Sequence, residues 1–148
     1  MSTRRQFLAR CSVLAAGAGL ASPALLAAPR PTQDLALHEI SFQSFAQQAG
    51  TLFSVKRKSA PAVLLDLIEA KSVQPAYPNA HLAEDAHNEK FSLRFRGPAG
   101  ALLDQDTHLF EHAELGRFAM FIVPVGRKSP GHAYYEAVFN RPAPGALI

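Results

Sequence analysis

The sequence predicts a mainly β fold, a compact antiparallel β-barrel or two-layer sandwich of about six strands with one short N-terminal helix. Three observations carry that expectation. Apolar residues alternate with polar ones over several stretches of five to eight residues, the period of a strand with one buried face. Nine Gly and eleven Pro cut the chain into short elements. Phe supplies ten of the aromatic residues and Trp none, in a chain that is 48% apolar, which suits an ordinary soluble core built from pleated strands. With 148 residues there is room for one domain.

The first stretch to leave the fold is the N-terminus. Residues 1–28 run from a charged opening through small apolar residues to a small-residue end, the plan of a cleavable export signal. Within it, Thr3-Arg4-Arg5-Gln6-Phe7-Leu8 resembles the twin-arginine signal, carried by Arg4, Arg5, Phe7 and Leu8. The apolar part is rich in Ala and Gly and contains Pro23, so it inserts weakly and no stable membrane span is expected after cleavage. Cys11 is the only cysteine, so the mature chain can form no disulfide. That agrees with a passenger folded in a reducing compartment before it crosses. The expected destination is periplasmic or extracellular, with the twin-arginine translocase as a partner during export.

Removing the signal also removes the basic excess. The net charge of +3 comes from fifteen Lys and Arg against twelve Asp and Glu; without Arg4, Arg5 and Arg10, twelve face twelve. A neutral domain lacks the field that generic nucleic-acid binding uses, so no nucleic-acid partner is expected.

The mature elements follow in order. Residues 29–38, PRPTQDLALH, read as a flexible linker, and the β domain is expected over 39–142 with a tail at 143–148. SFQSFAQQA, Ser41 to Ala49, places Phe42, Phe45, Ala46 and Ala49 at helical spacing, with Ser41 as cap and Gly50 as stop. Strands are then expected at Thr51 to Val55 and Ala62 to Val73, where Val63, Leu65 and Leu67 alternate with Leu64, Asp66 and Ile68. Gln74 to Glu89, with two Pro and two His, reads as the longest loop. In Phe91 to Arg96, Phe91, Leu93 and Phe95 point inward and Ser92, Arg94 and Arg96 outward. FAMFIVPV, Phe118 to Val125, is apolar at every position and reads as a central strand buried on both faces. In Ala133 to Asn140, Tyr135, Ala137 and Phe139 share one side.

One stretch carries a possible chemistry. HLFEH, His108 to His112, has the H-x-x-E-H spacing that on a helix sets two zinc ligands one turn apart with a carboxylate at the metal-bound water. Asp106 can cap such a helix, but Leu109 between His108 and Phe110 fits an extended segment leading to a turn at Glu114-Leu115-Gly116 equally well. In a strand, residues four apart lie ~13 Å from one another, too far for one metal. A third ligand is scarce, His132 and Glu136 being the candidates beyond Glu114. The strand is the expected reading, with no metal and no cofactor. No Ser-His-Asp order, glycine-rich phosphate loop or mature cysteine nucleophile offers another catalytic centre.

Phe91-Ser92-Leu93-Arg94-Phe95-Arg96-Gly97-Pro98, His112 with Leu115-Gly116-Arg117-Phe118, and Tyr135-Glu136-Ala137-Val138-Phe139-Asn140-Arg141 together resemble an uncharacterised small bacterial family, a domain of unknown function. The resemblance runs from about Phe42 to Arg141. It implies no activity or ligand, and it implies a loose kinship with accessory proteins of phage-tail-like or surface components. Members keep the His at His112 followed by Leu-Gly and usually carry an aromatic where His108 stands, which makes the H-x-x-E-H spacing here a coincidence.

The remaining candidates for contact with a partner are Arg94, Arg96, His112 and Arg141. Two arginines on one outward face suit phosphate or carboxylate, but they equally suit carboxylates of neighbouring strands such as Glu136, or chain carbonyls. The expected function is that of an exported, non-enzymatic module that binds a protein or cell-envelope component. The alternatives are a metal-dependent hydrolase built on HLFEH and a carrier of a small apolar ligand in a barrel.

Overall fold

The computed structural model describes residues 33–73 and 88–145. The export motif of Arg4, Arg5, Phe7 and Leu8, and most of the expected Gln74 to Glu89 loop, lie outside the described residues. A short 3-10 turn, Leu37–Glu39, precedes helix α1, Phe42–Ala46, and six strands follow: β1 Leu52–Lys56, β2 Val63–Ser72, β3 Asn88–Pro98, β4 Asp106–His112, β5 Gly116–Ser129 and β6 His132–Pro142. They close in the order β1-β2-β3-β6-β5-β4, every pairing antiparallel. Of the two architectures the alternation allowed, the barrel is the one formed.

Alternation decides what faces the interior. Phe53 and Val55 on β1, Val63, Leu65 and Leu67 on β2, and Phe91, Leu93 and Phe95 on β3 are buried, as are Phe110, Phe118, Met120, Ile122, Tyr135 and Ala137. The rings meet edge-on, tilted or stacked; Phe53 lies edge-on to Phe95 at 5.5 Å and Phe110 stacks on Phe118 at 5.8 Å. Each such pair adds about 0.5–1.5 kcal/mol beyond its buried area. Side chains fill the barrel, which disfavours its use as a container for an apolar ligand.

FAMFIVPV corrects the expectation of a strand buried on both faces. Phe118, Met120 and Ile122 point inward, but Ala119 is exposed and Phe121 is 49% exposed. A single closed sheet has one interior, and among the described residues no second layer covers the outer face of β5. Glu89 likewise belongs to β3 and not to the preceding loop.

β5 changes neighbours along its length. Gly116 to Ile122 pair with β4, and Val123 to Val125 pair with β6. The end of the barrel where β1, β3 and β5 begin is closed by the segment before β1. Gln33 O accepts from Arg117 N and Leu35 N donates to Arg117 O, both at 2.8 Å, while Asp34 pairs with Arg117 Nε at 2.7 Å. From there the chain passes to α1, whose Phe45 is fully buried against Phe91, Phe118 and Phe139. Residues 33–49 thus act as a strap. The described part of the 29–38 stretch is held along β5 instead of running free, because Gly116 leaves a space for it: a Cβ there would stand 2.3 Å from Gln33 O.

Candidate functional site

Two of the singled-out residues meet at the strap end of the barrel. His112 ends β4, and Ala113, Glu114 and Leu115 form a three-residue hairpin loop closed by Gly116, whose φ of 71° meets the left-handed position such loops require. The ring of His112 is 6% exposed and stacks on Phe53 at 4.3 Å. Its Nδ1 accepts from Glu114 N at 3.1 Å and Leu115 N at 3.3 Å. A nitrogen that accepts carries no hydrogen, so the neutral ring holds its proton on Nε2 and donates it to Thr51 Oγ1 at 2.9 Å. The Thr51 hydroxyl passes the bond on to Gln48 O at 2.7 Å, just beyond α1. Burial lowers the pKa of His112 from 6.5, opposed by the nearby Glu114 carboxylate.

Arg141 works from the other side of the strap. Its guanidinium donates to Leu37 O and Ile40 O, lies over the rings of Phe91 and Phe139 at 5.4 and 5.1 Å, and sits 3.5 Å from Glu89. Glu89 in turn accepts from Phe42 N at 3.0 Å. Desolvation lowers the Arg141 pKa, with Glu89 pulling it back. Both side chains are mostly buried, at 14% and 17% exposure. This clasp ties β3, β6 and the strap together, and its chemistry is that of a positioned cation meeting carbonyls.

Arg94 and Arg96 stay outside, on β3. Arg96 pairs with Asp66 of β2 at 2.6 Å, while Arg94 stands between Glu69 on β2 and Glu136 on β6 in the strand register. The expected carboxylate neighbours are therefore present, although Arg96 takes Asp66 and not Glu136. The four candidate residues divide: His112 and Arg141 hold the strap, and Arg94 and Arg96 decorate the sheet.

HLFEH is a strand. His108 and His112 face the same side with the fully buried Phe110 between them, and Glu111 points outward opposite Arg117. His108 spends Nε2 on Asp104 O at 2.9 Å. Two ligands and a base on one helical turn are not what this backbone builds, so the hydrolase alternative loses its geometry.

Sequence reasoning missed Thr51, Gln48, Glu89 and Asp34, the partners that give His112, Arg141 and Arg117 their roles. Only the turn has a local signal: His112 caps the N–H groups two and three residues on, before Leu115-Gly116.

At the opposite end, Leu102, Leu103, Asp104, Pro124 to Gly126 and Ala133 to Tyr135 line an open cavity of about 260 Å³. That is below the usual ~300–1,000 Å³ of a small-molecule site. The Tyr135 hydroxyl oxygen accepts from Leu103 N at 3.1 Å.

No curated protein and no solved structure matches the chain. Residues 40–139, from the first core residue Ile40 to Phe139, match the model of a domain of unknown function (DUF6916), within two residues at each end of the span the sequence motifs suggested, and the chain belongs to that family.

Proposed function

We propose that this domain is an exported, non-enzymatic binding module whose outer sheet face engages a protein or a cell-envelope component. The observation that carries the reading is the apolar outer surface of β4 and β5. Leu109 is 39% exposed and Phe121 is 49% exposed; the register pairs Leu109 with Ala119 and Thr107 with Phe121, so the two are diagonal neighbours on one face. Val138, 73% exposed on β6, faces outward two residues beyond Glu136, the partner of Val123. Scattered apolar residues on a surface are ordinary, but adjoining ones on neighbouring strands suit a contact. Export by the twin-arginine route rests on Arg4, Arg5, Phe7 and Leu8 and supports a partner in the envelope.

The test places a photo-crosslinking side chain at Phe121, at Val138 and, as a control, at Glu69, in cells that export the full chain. The reading expects one discrete adduct from the first two positions and none from the third. The same yield at all three positions, or none at any, overturns it. An adduct between two copies of the chain would redirect the reading to self-association.

A further inference from the structure

His112 is 6% exposed, and its contacts join three segments. Nδ1 gathers the N–H groups of Glu114 and Leu115 in the β4–β5 loop, and Nε2 reaches Thr51 ahead of β1 and through it Gln48 beyond α1. The two bonds accepted at Nδ1 need a ring with no hydrogen there, whereas the Nε2–H bond to Thr51 forms in either protonation state. A second proton has only Nδ1 to occupy, and there it faces two N–H donors and finds no acceptor.

We propose that His112 is an acid-sensitive lock on the β4–β5 loop at the strap end of the barrel: proton uptake at Nδ1 sets an N–H against two N–H donors and frees the Ala113 to Leu115 loop, while Nε2 keeps its bond to Thr51. Freed, the loop uncovers the His112 ring and the Phe53 ring on which it stacks.

The surroundings support the direction. The strap, α1 and β1 bring few charges near. Phe42 to Val55 contains no ionisable side chain, Lys56 lies at the far end of β1, and His38 and Glu39 on the 3-10 turn are exposed. Asp34 is paired with Arg117, which with Glu111 belongs to the outer face of β4 and β5. Among the described residues Glu114 is the carboxylate that acts on the ring, and it only partly offsets the desolvation that disfavours the imidazolium. The closed form therefore binds a proton less readily than the open one. Closure is fully favoured above the ordinary pKa of 6.5, and it weakens as the pH falls below that value toward the lowered pKa of the closed form.

The experiment is done on the full chain by NMR. Long-range 1H–15N spectra read the His112 tautomer and its titration, and hydrogen exchange of Glu114 and Leu115, corrected for intrinsic rates, reads the opening. The lock expects the Nε2–H tautomer at pH 7.5 and a midpoint below 6.5. It also expects protection at these two amides to fall roughly tenfold for each pH unit between the open-state and closed-state pKa values, while Phe95 on β3 stays protected. His112→Asn, which keeps an acceptor near the Nδ1 position and cannot titrate, should abolish that pH dependence; His108→Gln should leave it in place. A midpoint at or above 6.5, protection that does not change with pH, or an unchanged response in His112→Asn overturns the proposal. Should the Asn variant fail to fold, the tautomer and midpoint of the unmodified chain decide alone.

Discussion

The guanidinium of Arg141 donates to the carbonyl of Ile40, a residue 101 positions earlier in the chain. That bond, its partner to Leu37 O and the 3.5 Å approach to Glu89 hold the strap where β3 begins and β6 ends. Breaking a buried ion pair by removing one member leaves the other charge without compensation and costs about 3–5 kcal/mol; slight exposure at both groups sets the lower figure here. Arg141→Ala should destabilise the full chain by about 3 kcal/mol. Arg141→Lys should recover less than half of that loss, since an ammonium cannot lie flat beside the stacked rings of Phe91 and Phe139 while reaching two carbonyls. Urea unfolding with an unchanged m-value checks both.

Thr51 relays between His112 and Gln48, and Thr51→Val keeps its shape while removing the hydroxyl. The variant leaves His112 Nε2–H and Gln48 O without this partner. An unsatisfied buried donor costs about 1–3 kcal/mol, so the expected loss lies in that range. Thr51→Ser, which keeps the hydroxyl, should lose under about 1 kcal/mol. Equal losses in the two variants would assign the effect to the methyl group and remove the relay from the account.

Local pattern made the strands legible and distant pairing hid the clasps. Alternation located the inward Phe91, Leu93 and Phe95 because their burial depends on period alone. Ser41 was recognisable as a helix cap because its partner, Ser44 N at 3.1 Å, lies three residues away. His112 meets Thr51 across 61 positions, and no spacing rule reaches that far. FAMFIVPV misled for a different reason: Phe121 and Ile122 are both apolar, but composition does not say whether a second layer covers the outer face. Residues 29–38 read as a linker since Pro and polar residues dominate them, whereas the contact of Gln33 and Leu35 with β5 uses backbone groups that any sequence carries.

Gly116 and Gly97 make a contrasting pair. Gly116 has φ of 71°, and an added Cβ would meet a backbone oxygen, Gln33 O, at 2.3 Å. At Gly97 the obstacle is Leu65 Cδ2 at 2.5 Å, the end of a side chain that can turn, although in a filled core. Gly116→Ala should therefore expel the front of the strap, and exchange protection at Leu35 and Arg117 should be lost selectively. Gly97→Ala should cost about 1–3 kcal/mol through overpacking while those two amides stay protected. Loss of protection at Leu35 in both variants would mean that the strap responds to general destabilisation and not to the space at Gly116.

Phe45 and Phe121 are the same residue on opposite sides of the wall. Phe45 is fully buried in contact with Phe91, Phe118 and Phe139, so Phe45→Ala forfeits both its transfer from water and the ring contacts that seat α1, about 3–5 kcal/mol. Phe121 is 49% exposed, and Phe121→Ser should change stability by about 0.5 kcal/mol or less while removing the crosslink expected at the outer face. Thermal melts of the two variants separate a residue kept for the core from one available for contact. If Phe121→Ser melted as early as Phe45→Ala, the outer face of β5 would be structural, and the apolar surface would lose its claim as a docking site.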